Sequence, residues 1–128
     1  MVNDRQAQWV KYSEAPEGEQ MAEQFPNGHF WKPTHLFDSE RIDISVIEMA
    51  PGEGGPRHSH EPPVEEFYMV LDGDVEIELD DEHVAGPEGM IFFFPPGTVH
   101  RPVNTTDTTA RLLSFRVLAE GDQQIDID

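Results

Sequence analysis

After about residue 30, apolar and polar positions alternate along much of the chain with a period of two. The clearest stretch is Asp74-Val75-Glu76-Ile77-Glu78-Leu79-Asp80. In a strand, its acidic side chains share one face and Val75, Ile77 and Leu79 share the other, as in a half-buried β-strand. Residues 42–47, 66–71, 90–94 and 112–118 have the same strand character. Ile91-Phe92-Phe93-Phe94 is apolar on both faces, which predicts a strand packed on two sides. Clusters of Gly and Pro, among them Glu61-Pro62-Pro63 and Pro95-Pro96-Gly97, punctuate these segments. The Asp-Gly pair in Leu71-Asp72-Gly73-Asp74 predicts a hairpin joining 66–71 to 74–79. No helical stripe follows residue 30, so the pattern predicts an all-β, antiparallel sandwich or barrel.

A chain of 128 residues without repeats or a composition break reads as one domain spanning 1–128. Its core barrel is placed at about 40–118, with 1–30 as an N-terminal extension and 119–128 as a tail. Residues 8–12 read as a strand exchanged with a partner chain, and 14–23 as loop or a turn of helix.

Charge narrows the function. Twenty-six Asp and Glu face eight Lys and Arg, a formal net charge of -18. Such a field repels phosphate backbones and anionic membranes, so neither nucleic acid nor membrane is expected as a partner. The carboxylates are dispersed, and Lys11 and Lys32 are the only lysines. This is the composition of a salt-adapted (halophilic), well-hydrated surface. There is no cysteine, which excludes disulfides, thiol nucleophiles and thiolate ligands, and leaves only N and O donors for a metal. The first eleven residues lack the basic and apolar blocks of a signal peptide, and no long apolar run occurs, so a cytoplasmic protein is expected.

The candidate chemistry lies in histidines. His58-Ser59-His60 places two imidazoles on one strand face. After the Pro62-Pro63 break a strand starts at Glu65-Glu66, bringing a carboxylate back from the neighbouring strand. The Pro95-Pro96-Gly97 turn then delivers His100. Three imidazoles and one carboxylate suit one divalent transition metal ion: Mn, Fe, Co, Ni, Cu or Zn.

The spacing of this set resembles the cupin superfamily. Gly52, His58-Ser59-His60, Glu66 and Gly73 follow its first motif. Gly89, Pro95, Gly97, His100 and Asn104 follow its second. The resemblance implies a double-stranded β-helix (jelly-roll) barrel with the metal among inward-facing residues. Five residues separate His60 from Glu66 here, against three or four in the family. Glu65 would restore that spacing but lengthen the next, so Glu66 is preferred, because it shares a strand face with Tyr68 and Val70, and Glu65 is expected to face outward. Gly73, Gly89 and Gly97 are expected at turns where a side chain would clash, and Asn104 in a turn or behind the ligands.

The barrel mouth is the expected pocket, with Tyr68, Phe92, Phe94, Phe115 and Arg116 as lining candidates; half of the phenylalanines are expected to be plain core. The runs around Glu66, Gly89 and His100 look like the small quercetinase-type dioxygenases. That resemblance implies an enolisable small-molecule substrate, with Glu66 and Tyr68 as the catalytic residues and Glu66 as both ligand and proton acceptor. Three alternatives use the same barrel: a sugar isomerase or epimerase, a small-acid decarboxylase anchored by Arg57, Arg101 or Arg116, and a non-enzymatic sensor. His29, His35 and His83 are placed on the surface or in loops. Phe30-Trp31 is expected over a pocket or a dimer interface, and pairing of edge strands predicts a homodimer.

Overall fold

The computed structural model describes residues 7–14, 31–37, 39–117 and 124–126. Within them the chain forms strands β1 (Lys32–His35), β2 (Ile42–Met49), β3 (His58–His60), β4 (Glu65–Asp72), β5 (Val75–Leu79), β6 (Glu82–Gly86), β7 (Ile91–Phe94), β8 (His100–Val103), β9 (Ala110–Val117) and β10 (Gln124–Asp126). They build two five-stranded sheets, ordered β1-β2-β9-β4-β7 and β10-β3-β8-β5-β6, whose neighbouring strands are antiparallel. The architecture is the all-β antiparallel fold that the pattern predicts, in the jelly-roll form that the cupin resemblance implies. Among the described residues, no helix is long and apolar enough to cross a membrane.

The hairpin expected across Asp72-Gly73 does not form. β4 pairs with β7 and β9, whereas β5 pairs with β6 and β8, so the turn at Gly73 carries the chain from one sheet to the other. The crossing sets Tyr68 and Val70 of β4 in one core with Val75 and Ile77 of β5 from the other sheet, instead of side by side in one sheet. The hairpin lies one step later, where Leu79 pairs with Glu82.

Two further expectations change. Residues 8–11 have no regular structure and Tyr12–Glu14 form a single 3-10 turn, so no strand spans 8–12. The tyrosine hydroxyl of this turn donates to Asp72 Oδ1 at 3.0 Å, which ties the segment to the barrel. Gln124–Asp126, expected as a tail, pair with β3. Residues 15–30, with His29 and Phe30, lie outside the described residues.

Pairing register sorts the first sheet into rows. On the inner face one row runs Asp43, Arg116, Glu66, Phe94, and the next His35, Ser45, Ser114, Tyr68, Phe92. The core is closed by Ile47, Met49, Tyr68, Val70, Phe94 and Leu112 from this sheet, with Val75 and Ile77 from the other. On the outer face one row runs Ile44, Phe115, Phe67, Phe93 and another Val46, Leu113, Met69, Ile91. Ile91 and Phe93 are 64% and 47% exposed, so β7 is packed on one side and not on two as its sequence suggested.

Candidate metal centre

His58, His60, Glu66 and His100 are all buried, and each offers a donor atom within 4.8 Å of the others. The histidines come from the second sheet, where His58 pairs directly with His100. The carboxylate comes from β4 of the facing sheet, not from the neighbouring strand. Glu65, one residue earlier, is exposed, as strand alternation requires.

The turn before β8 sets the position of His100. Gly97 N donates to His60 O at 2.8 Å and Thr98 N to Pro95 O at 3.2 Å, so the turn is fastened to the strand that carries the other two histidines. Gly97 has φ +82° and nothing stands within 4 Å of where a Cβ would lie. Its backbone conformation, not the clash expected from sequence, calls for glycine. Asn104 is buried in the following loop, donating to Met49 O and Thr108 O and accepting from Thr106.

One carboxylate oxygen, Glu66 Oε1, faces all three rings. It lies 2.7 Å from His100 Nε2, 3.3 Å from His60 Nε2 and 3.6 Å from His58 Nε2. Behind the rings, His58 Nδ1 donates to Pro56 O and His100 Nδ1 to Thr98 O, both at 2.9 Å. With Nδ1 donating to a backbone carbonyl, Nε2 is the ring atom that faces Glu66 and the one that would bind a metal ion on losing its proton, and backbone carbonyls of this kind commonly orient ligand histidines. The donor set therefore fits a divalent transition ion.

Electrostatics agree with a charged centre. Burial alone would raise the Glu66 carboxyl, but the facing His100, His58 and His60 outweigh it and hold it well below the usual range. Burial and the nearby His58 lower His100, against the raising effect of Glu66. Phe94 stacks on His100 at 3.9 Å between ring centroids, and Trp31 meets His58 edge-on at 6.3 Å.

A cavity of about 160 Å³ adjoins Glu66, lined by Trp31, Pro33, His35, Asp43, Ser45, Ile47, Ser114 and Arg116. Arg116 is the one of the five lining candidates that borders this cavity. Tyr68, Phe92 and Phe94 do not line this cavity. They occupy the same inner rows on the β4 and β7 side, where Tyr68 is fully buried. Burial, then the Glu66 charge, pushes its hydroxyl well above the usual tyrosine range. Phe115 is turned to the outer face against Phe67, because neighbours on a strand cannot share a face and Arg116 takes the inner one.

Several lining residues escaped the sequence reading. Ser114 Oγ donates to Glu66 Oε2 at 3.0 Å. His35, expected on the surface, is exposed yet borders the cavity, with Nδ1 at 2.8 Å from Asp43 Oδ1. Asp43 also accepts from Arg116 and from Ser45 Oγ. Burial tends to raise the Asp43 carboxyl, but Arg116 and His35 together bring it below its ordinary value. The available signal was the alternation Asp43, Ser45, Ile47, which puts two polar residues on the inward face of an apolar strand. The other two anchors proposed for a carboxylate point elsewhere: Arg101 binds Gly55 O and pairs with Glu78, and Arg57 does not border the cavity.

A jelly roll with three histidines and a glutamate gathered between its sheets defines the class, and comparison with known proteins agrees. Residues 45–116 match the cupin domain family. The chain belongs to that family. It is 31% identical over 85 residues to a 3-hydroxyanthranilate 3,4-dioxygenase of Shewanella woodyi, covering 58% of this chain and 42% of that one. The chain thus spans less than half the length of this relative. Its fold is similar to a sugar phosphate isomerase of Silicibacter pomeroyi, with TM-score 0.79, 18% identity, and 94% and 82% of the two chains covered. It is also similar to a predicted oxalate decarboxylase of Thermotoga maritima, with TM-score 0.76, 22% identity, and 88% and 100% covered.

Proposed function

We propose that the protein is a metal-dependent dioxygenase of small enolisable compounds. The observation that carries this reading is the convergence of three imidazole Nε2 atoms on Glu66 Oε1, at 2.7 to 3.6 Å, beside a cavity. A divalent ion held by His58, His60, Glu66 and His100 supplies Lewis acidity and positions open to substrate and oxygen. The chain's own residues do the rest. Ser114 holds the Glu66 carboxylate, Trp31 and Ile47 give the cavity apolar walls, and Arg116 presents a cation to an anionic substrate. Glu66 serves as ligand and not as proton acceptor, since both its oxygens are engaged.

Cavity size sharpens the substrate. A hollow of about 160 Å³ is comparable to one of ~150 Å³ that takes benzene. A single ring or a short acid fits that scale. The dioxygenase relative supports the same class. The test is anaerobic incubation of protein loaded with Mn, Fe, Co, Ni or Cu with a panel including 3-hydroxyanthranilate and short 2-oxo acids, then admission of air. Oxygen uptake is expected for at least one pair, and none with any metal refutes the reading.

A small-acid decarboxylase is the second reading, favoured by Arg116 in the cavity wall. Carbon dioxide release without oxygen consumption would establish it. Binding without turnover across the panel would instead make the chain a sensor.

We also propose a homodimer. The two apolar outer rows of the first sheet, which carry no carboxylate themselves and lie between Glu48 and Glu65, offer two copies of a chain of net charge -18 an apolar surface to bury against each other.

A further inference from the structure

With Glu66 occupied, enolisation needs a base elsewhere in the cavity, and the structure supplies a candidate that the metal centre does not use. His35, Asp43, Ser45 and Arg116 form one polar cluster in the cavity wall. His35 Nδ1 is 2.8 Å from Asp43 Oδ1 and 3.0 Å from Ser45 Oγ, and Ser45 Oγ donates to the same carboxylate oxygen at 3.1 Å. The other oxygen, Oδ2, accepts from Arg116 at 2.5 Å. Arg116 thus fixes the carboxylate from one side while Ser45 and His35 take the other.

This arrangement determines the histidine's tautomer. A bare Nδ1 at 2.8 Å from an ionised carboxylate would set two acceptors against each other, so Nδ1 carries the proton. Nε2 is left as the basic atom. Asp43 then stabilises the imidazolium formed when Nε2 takes a proton, as the carboxylate does in any base-orienter pair.

We propose that His35 is the general base that enolises the substrate, with Asp43 as its positioning residue; this rests on the proposed function in taking the substrate to be enolisable. The C–H bond next to the substrate carbonyl breaks, its proton passes to His35 Nε2, and the electron pair remains on the substrate as enolate. His35 is exposed, so it returns the proton to solvent and is ready for another cycle.

Hydrogen–deuterium exchange reads this step without oxygen chemistry. The metal-loaded protein is incubated under nitrogen in deuterium oxide with pyruvate and, separately, dihydroxyacetone, and C–H loss is followed by NMR. The wild type is expected to accelerate exchange of at least one probe. His35→Ala should slow it about 100-fold, within the usual range for a general base, and added imidazole should restore part of the rate through the exposed position. Asp43→Asn should slow it less. His83→Gln serves as control, because His83 forms a similar pair with Glu76 that does not border the cavity, and should exchange as wild type does. No wild-type exchange, wild-type rates in His35→Ala, or a loss that imidazole does not restore would each overturn the inference. The two readings also separate. Dyad-dependent exchange without oxygen uptake removes the oxygenase and keeps the base, and uptake with exchange indifferent to His35 does the reverse.

Discussion

Ser114 Oγ donates to Glu66 Oε2 at 3.0 Å while the other oxygen of that carboxylate faces three imidazoles. The serine lies on β9, next to β4 in the first sheet, so two strands and a side-chain hydrogen bond aim the only carboxylate of the cluster at the facing sheet. Partners of this kind typically contribute about 10–100-fold to metal affinity. Ser114→Ala is expected to weaken metal binding by about 10-fold with little change in melting temperature. Competitive titration against a chelating dye measures it.

The choice between adjacent glutamates has a direct test. Glu66→Gln should abolish stoichiometric metal binding and Glu65→Gln should leave it intact, because only Glu66 is buried against the histidines. Elemental analysis of both variants, purified without a chelating tag, decides it. Metal loss confined to the Glu65 variant would reverse the assignment.

Gly55 lies so close to Trp31 that a Cβ there would meet the indole at 2.6 Å. Gly55→Ala must displace the ring that borders both His58 and the cavity. Overpacking of this sort costs about 1–3 kcal/mol. Urea denaturation should show that loss, and a stability equal to wild type would mean that Trp31 moves freely.

Acid should expose the cluster at the cavity wall. Burial raises the Asp43 carboxyl, but Arg116 and His35 prevail and bring it below its ordinary value of 3.8. A carboxyl depressed on folding gives stability that is complete above the unfolded-state value and lost as pH falls through the folded-state value. Wild type should therefore lose stability below about pH 4 more steeply than Asp43→Asn. Denaturant midpoints between pH 3 and 7 test this, and parallel curves would refute it.

The apolar outer face makes the oligomer testable. Phe93 is 47% exposed and ends the row Ile44, Phe115, Phe67, Phe93. Light scattering should give twice 14.5 kDa for the wild type and 14.5 kDa for Phe93→Asp. A monomeric wild type excludes the dimer.

The strand pattern and the histidine cluster are legible in the amino-acid order, because each is written in short-range spacing, and the jelly-roll class follows from the resemblance of two motifs to the cupins. Period two selects strand faces, the Pro95-Pro96-Gly97 turn positions His100, and alternation from Glu66 to Val70 puts Glu66 inside and Glu65 outside. What stands opposite those faces depends on contacts between residues far apart along the chain. The Asp72-Gly73 turn looked like a hairpin because its residues specify a reversal of the chain, but they do not specify whether the next strand joins the same sheet. Alternation puts Tyr68 and Phe94 on the inward face without specifying whether that face meets a pocket or the core; they pack the core, while His35, Asp43, Ser45 and Ser114 line the cavity. Those four come from three strands, and cross-strand register, fixed by pairing over long separations in sequence, brings them to one cavity beside Glu66.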